Sequence, residues 1–319
     1  MLRAKALSLD IALIQARRHP GGGLTLGVVC DFTQAMVEAA RLVIALDNEM
    51  LPATGGDALL DEDDVDVWVD GDHRIIDMPD PEPSPVERLV ARQVAALIPD
   101  GATVQLGIGT LPVAVATALS DHRNLGVHSG VVSDVLVDLI ERGVVTNACK
   151  GRDHGVTVTG GLFGTQRLRD FAQGSEAVAM RNAEYTHSIA TMATLRRFHS
   201  INSAIEVDVT GQVNSEIAGG RYLGAVGGQL DFVRGGVASN AGASIIALPS
   251  VTPDGKQSRI VASLGSRPVT TPRSDIDVVV TEHGAAHLAG CSLAERGRRL
   301  VAIAHPSFRE EIDRQMRAG

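Results

Sequence analysis

The chain moves between two hydrophobic rhythms. Short β-branched runs, "SLDIALIQ", "LTLGVV", "LVIALDN", "ATVQLGIG", "ASIIALPS", "SRIVASL" and "DIDVVVT", have the length and residue types of strands. Between them lie stretches with apolar residues at helical spacing: "DFTQAMVEAAR" opened by Asp31, "PSPVERLVARQVAALI" opened by a proline, and "LPVAVATALSDH". Two more helical patterns, "SLAERGRRLVAIA" and "HPSFREEIDRQMRAG", close the chain. This alternation predicts an α/β protein with open, largely parallel sheets. From about Gly160 the pattern loosens, and a boundary between Gln173 and Asn182 divides the chain into α/β domains of residues 1–177 and 178–319. A length of 319 residues suits two domains at roughly 100–200 residues each.

Composition narrows the function classes. With 44% hydrophobic and 21% charged residues the chain can bury a sizeable core. Lys plus Arg is 29 and Asp plus Glu is 38, giving 29 − 38 = −9, a balance that argues against a nucleic-acid partner. The acidic run Asp61-Glu62-Asp63-Asp64 reads as a solvated loop. Cys30, Cys149 and Cys291 lack any C-x-x-C spacing, so neither a disulfide framework nor a zinc knuckle is expected, and the default compartment is cytoplasmic. No apolar run approaches the ~20 residues that cross a bilayer, and no membrane partner is expected.

One strand-like stretch stands out, "SINSAIEVDVTGQVNSE", Ser200 to Glu216. Strand alternation puts Ile201, Ser203, Ile205, Val207 and Val209 on one face and Asn202, Ala204, Glu206, Asp208 and Thr210 on the other. Two carboxylates on one face suit either a wet edge or a carboxylate held at a cleft, and spacing does not choose between them. Glycines add candidates. Gly107 and Gly109 follow a strand and Pro112 sits in the first turn of the next helix, a geometry that either makes a tight turn or lets backbone approach a phosphate. The pattern is not the dinucleotide fingerprint, because Pro112 stands where the third glycine belongs. Gly227 and Gly228 lie in a glycine-rich loop that reads either as an anion-binding nest or as a flexible surface loop. Glu282 and His283 end a strand at the carboxyl edge where open α/β sheets place ligands. His283 and His287, four apart, would share a helical face, but without a third ligand no metal site is assigned.

Taken in order, "QLGIGTLPVAV", "LGVHSGVVSDVLVDLIERGVVTN", "INSAIEVDVTGQVNSE", "GGQLDFVRGG", "SIIALPS", "SRIV" and "VVVTEHGAAHLAGCSLAERGRRLVAIAHPSFRE" resemble the acetyl-CoA hydrolase/transferase family, which includes class I CoA-transferases for 4-hydroxybutyrate and acetate. The resemblance implies two α/β domains with the active site between them. It implies that Glu206, in "NSAIEVD", attacks an acyl-CoA thioester to give a mixed anhydride, which CoA thiolate converts to a glutamyl-CoA thioester before an acceptor acid reverses the steps. Glutamate suits this role, since its reference pKa of about 4.3 leaves it ionised at neutral pH without a base. The resemblance further assigns Gly227 and Gly228 to an oxyanion site, Gly107, Gly109 and Pro112 to the CoA side of the cleft, and Asn214, Gln229 and Glu282 to its lining. Asp208 is expected to be structural.

The same resemblance implies acyl-CoA and a small carboxylic acid as substrates, no tightly bound cofactor, and a homodimer or higher oligomer. An acyl-CoA hydrolase and a partner-dependent subunit are the alternatives. Ala53 and Gly55 replace an arginine and a histidine of family members, Gly130 replaces a glutamate, and Ala243 a lysine. Family members also carry a further N-terminal segment, so the first domain is expected to be shortened, or completed by a second subunit.

Overall fold

The computed structural model describes residues 1–4, 6–71 and 73–318. A five-stranded sheet takes β1 (Leu9–Arg18), β2 (Leu24–Thr25), β3 (Ala40–Asp47), β4 (Leu59–Leu60) and β5 (Val67–Asp70) in the order β4-β2-β1-β3-β5. Its β1-β3-β5 part is parallel, and α1 (Thr33–Ala39) connects β2 to β3. The central sheet has six strands in the order β18-β17-β15-β10-β6-β7: β6 (Thr103–Leu106), β7 (Gly126–Val127), β10 (Phe198–Ser203), β15 (Ala243–Ala247), β17 (Val278–Thr281) and β18 (Gly284–His287). All its pairings are parallel except the β17–β18 hairpin. Three small sheets complete the fold: β12 (Val213–Asn214), β11 (Glu206–Asp208) and β16 (Ile260–Val261); β13 (Ile217–Ala218) with β14 (Arg221–Tyr222); and β8 (Thr157–Thr159) with β9 (Val178–Met180).

The helices follow from local signals. In α2 (Pro85–Ala95) Ser84 accepts from the Glu87 amide and Glu87 reaches back to the Ser84 amide, with proline in the first turn. The same capping box, Ser292 with Glu295, opens α9 (Leu293–Ile303), which is followed by α10 (Pro306–Ala318). Between these lie α3 (Thr110–Ala118), α4 (Asp134–Glu141), α5 (Gln166–Ala172), α6 (Ala183–Thr186), α7 (Ile189–Ala193) and α8 (Gln229–Ala238). Among the described residues no helix is long and apolar enough to cross a membrane.

Burial explains the two strand patterns. On β15 and β17, Ile245, Ala247, Val278 and Val280 enter one core with α2 and α3, while Ile246 and Val279 enter a second core with α9 and α10. A sheet covered on both faces needs unbroken apolar runs, which is why "SIIA" and "VVVT" show no alternation. On β1, by contrast, Ala12, Ile14 and Ala16 are buried while Ile11 and Leu13 are exposed, so one face of that sheet is open.

Two expectations change. The run "SINSAIEVDV" is not one strand: β10 ends at Ser203, and the chain leaves the central sheet through Ala204 and Ile205 to begin β11 in a different sheet. The shared face of Glu206 and Asp208 survives, because β11 turns Val207 into the second core, but Asn202 and Ala204 do not belong to it. Of "LTLGVV" only Leu24–Thr25 forms a strand; the left-handed Gly27 follows (φ 68°), and Val29 makes a lone bridge to Gly161. The division at 177 does not coincide with a sheet boundary: β6 and β7 lie inside the central sheet with β10 to β18, and one core runs from Ala12 to Val280.

Candidate active site

Glu206 opens β11 directly opposite Asn214 of β12, the two strands being joined by a turn in which Gly211 takes φ 96°. That register delivers the Asn214 amide, whose Nδ2 donates to Glu206 Oε1 at 2.7 Å and to the Ile217 carbonyl at 2.7 Å. Asn214 cannot turn away easily, since its Oδ1 accepts from the amides of Glu216 and Ile217. The second oxygen, Oε2, accepts from Arg267 Nη1 at 2.6 Å. Glu206 is therefore a buried carboxylate, 8% exposed, with one oxygen on an amide and the other on a guanidinium. Desolvating an ionised carboxylate is costly without such partners, and here both oxygens have one.

Asp208, two residues on, does something else. Its Oδ1 accepts from the Thr210 amide and hydroxyl and from the Gln212 amide, and its Oδ2 accepts from Gln212 Nε2. It closes the Asp208–Gln212 turn and so sets the β11–β12 register that places Asn214 on Glu206.

The glycine-rich loop reaches the same neighbourhood through the segment after Arg267. Gly227 takes φ 58°, Gly228 caps α8, and Gln229 in its first turn donates from Nε2 to Thr271 Oγ1 at 3.1 Å. Thr271 in turn exchanges backbone hydrogen bonds with Val213, the neighbour of Asn214. The N-terminus of α8, with its unpaired amides, is thus tied to the strand facing Glu206.

Gly107, Gly109 and Pro112 form the β6–α3 turn, with Gly109 at φ 113°. Leu106 is registered with Ile201 of β10, so this turn and the exit towards Glu206 leave the same carboxyl edge of the sheet. Gly107 and Pro112 border an apolar cavity of about 30 Å³ lined also by Leu106, Val113 and Val132, too small for more than about one or two waters.

Ser250 donates to Glu282 from both its amide (2.9 Å) and its hydroxyl, which pins the exit of β15 to the β17–β18 turn. β17 lies two strands from β10, roughly 10 Å at about 4.8 Å per strand. His283 sits in that turn and His287 on β18, so they share no helical face. Among the described residues no group of three His, Cys, Asp or Glu converges on one point.

Sequence reasoning missed three side chains. Arg267 lies 61 residues after Glu206 in a Gly-, Ser- and Pro-containing loop without periodicity. Arg259, half-buried beside β11, feels the charges of Glu87 and Glu282; burial lowers its pKa and both carboxylates oppose that. His187 packs against Phe232 with the rings tilted by 49° and centroids 4.5 Å apart, and burial lowers its pKa against the raising fields of Asp231 and Asp31. A Cβ on Gly228 would meet His187 Nε2 at 2.3 Å, and one on Gly130 would meet its Cε1 at 3.2 Å. His187 therefore occupies the space into which a glutamate at position 130 would project.

Residues 164–316 match the model of the acetyl-CoA hydrolase/transferase C-terminal domain. The 4-hydroxybutyrate coenzyme A transferase of Clostridium kluyveri is 40% identical over 314 residues, 98% of this chain and 73% of that protein. The crystal structure of 4-hydroxybutyrate CoA-transferase from Porphyromonas gingivalis superposes with a TM-score of 0.90 at 34% identity, covering 99% of this chain and 77% of that one. The acetyl-CoA hydrolase of Kluyveromyces lactis is 30% identical over 215 residues, 64% of this chain and 38% of that protein.

Proposed function

Because the chain belongs to the acetyl-CoA hydrolase/transferase family and is an enzyme of the CoA-transferase type, we propose that it moves CoA from an acyl-CoA to a small carboxylic acid through covalent intermediates on Glu206. The observation that carries this reading is the setting of Glu206: a buried carboxylate, held by Asn214 and Arg267 at the start of a short strand beside the N-terminus of α8. A carboxylate nucleophile needs aim more than activation. Fixing one oxygen on an amide and the other on a guanidinium supplies that aim.

The carboxylate attacks the thioester carbon, and the negative charge that develops on the thioester oxygen is received by amides at the α8 N-terminus, Gly228 and Gln229 among them. Collapse expels CoA thiolate and leaves a mixed anhydride. The thiolate attacks the glutamyl carbon, releasing the first carboxylic acid as its anion and leaving glutamyl-CoA. A second carboxylate then runs the steps in reverse. Gly109 presents open space above its Cα at the head of α3, which suits close approach of the CoA chain on that side.

The test is mass spectrometry of the peptide holding Glu206 after incubation with butyryl-CoA or acetyl-CoA in the absence of an acceptor. A CoA adduct on Glu206, lost in Glu206→Gln, is expected; turnover without any adduct overturns the covalent route. Release of CoA at the same rate with and without acetate would instead make the protein a hydrolase, as the likeness to acetyl-CoA hydrolases allows.

A further inference from the structure

Arg267 has anchors that do not depend on Glu206. Its Nε donates to the Leu264 carbonyl at 2.7 Å and its Nη2 to the Ser263 carbonyl at 2.8 Å, leaving Nη1 to reach Glu206 Oε2 at 2.6 Å. The loop itself is fixed, because Leu264 is buried and Thr270, three residues beyond the arginine, bonds Val213 by its amide and Glu216 by its hydroxyl. The guanidinium therefore keeps its place when its carboxylate partner changes. The ion pair is also asymmetric: the arginine side chain is 39% exposed and that of Glu206 only 11%, so the pair opens to solvent on the cationic side.

Glu206 is charged for only part of the cycle. As a thioester it is neutral and keeps one carbonyl oxygen: when Oε2 attacks and leaves with the first acid, Oε1 stays on Asn214, and Arg267 presents an unpaired N–H on Nη1 beside the electrophilic carbon. We propose that Arg267 binds the carboxylate of the acceptor acid in the second half-reaction, exchanging the enzyme's own carboxylate for the substrate's. This inference rests on the glutamyl-CoA intermediate proposed for Glu206.

The step balances. An acceptor oxygen held at Nη1 forms a C–O bond to the Glu206 carbonyl carbon, the C–S bond breaks, and CoA leaves as thiolate. The thiolate then attacks the acceptor's acyl carbon, forming the new C–S bond, while the anhydride C–O bond breaks and its electron pair returns to Glu206. One negative charge enters on the acceptor and one is restored to Glu206, which pairs with Arg267 again. The arginine meets one carboxylate at each resting point, and the site selects anionic acceptors over neutral nucleophiles.

The experiment loads wild-type, Arg267→Gln and Arg267→Lys proteins with acyl-CoA, verifies the glutamyl-CoA adduct by mass, and follows its discharge in a single turnover by sub-saturating acetate or by hydroxylamine, a neutral nucleophile. Discharge of Arg267→Gln by acetate is expected to fall about 10- to 100-fold, the worth of one hydrogen bond to a charged group, with hydroxylamine discharge changed less than about threefold and Arg267→Lys intermediate for acetate. Equal loss for both nucleophiles, or no loss for acetate, overturns the assignment. Failure of both variants to load while wild type loads also overturns it, leaving Arg267 as a residue that only positions Glu206. Failure of wild type to load refutes the glutamyl-CoA intermediate itself.

Discussion

Two regions of this molecule bury ionisable side chains, and they solve the problem in opposite ways. Around Glu206 both oxygens are paired: an amide and a guanidinium cover them, and the arginine's outer edge meets solvent. Behind β7 no opposite charge bonds the buried groups. Lys150 is fully buried with Nζ donating to the carbonyls of Val127 and Val156 at 2.8 and 2.7 Å, and burial pushes its pKa down to about 8. His128, also fully buried, donates from Nε2 to the Thr186 carbonyl at 2.9 Å, its Nδ1 has no hydrogen-bond partner, and burial, then the Lys150 charge, lowers its pKa to about 4. Carbonyl dipoles satisfy hydrogen-bond geometry but offset only part of the lost hydration. At Glu206 a guanidinium that reaches solvent pairs with the carboxylate, an arrangement the proposed nucleophile would use, whereas carbonyls and a charge that makes no hydrogen bond build structure whose stability varies with pH.

The largest effect separates the two carboxylates of β11. Glu206→Gln is expected to lower turnover by at least about 10⁴-fold while leaving the unfolding midpoint nearly in place. Asp208→Asn should do the reverse: about 1–3 kcal/mol lost in denaturant unfolding, from weakened turn hydrogen bonds, with a smaller fall in turnover through the displaced Asn214. If Asp208→Asn matches Glu206→Gln in turnover at unchanged stability, the division of roles between them is wrong.

The buried bases give smaller, pH-dependent effects. His128 has a folded pKa below its unfolded value of 6.5, so the unfolded chain binds the proton first as pH falls; its contribution to stability is intact above about 6.5 and is lost down to about 4, at a slope of about 1 kcal/mol per pH unit. Denaturant titrations at pH 7 and 5 should show this loss, and His128→Phe should reduce the slope whatever it does to the absolute stability. Lys150 is likewise depressed, so stability should rise between about pH 8 and 10.5, where only the unfolded chain stays protonated there. Lys150→Met should flatten that rise, and an unchanged slope would mean the lysine is better compensated than two carbonyls suggest.

Much of the fold is written in local pattern. Ser84-Pro85 and Ser292 with Glu295 mark helix starts that the structure keeps, because a cap is satisfied within four residues. The unbroken apolar runs of β15 and β17 fit a sheet covered on both faces, but Ile11 to Ile14 of β1 is an equally unbroken run, and only the structure shows that Ile11 and Leu13 face outward. Glu206 was legible only as one of two same-face carboxylates until the ordered glycine blocks around it were read together. The break between β10 and β11 left no trace, since "SINSAIEVDV" has strand character throughout and only the change of sheet interrupts it.

By itself the sequence determined the α/β alternation, the helical stretches of α1, α2, α3, α9 and α10, the parallel character of the main sheets and the family, all of which depend on short-range periodicity or on residue order. Tertiary structure decided which groups meet: Arg267 on Glu206 across 61 positions, His187 in the space beside Gly130 and Gly228, Ser250 on Glu282, and Lys150 and His128 on backbone carbonyls in a core where the charge of Asp153 reaches them without a hydrogen bond. Periodicity places a side chain on a face, but hydrogen bonds and charge pairs form across elements far apart in the chain, and those contacts, together with burial, decide whether a carboxylate is a wet edge, a turn closure or a nucleophile.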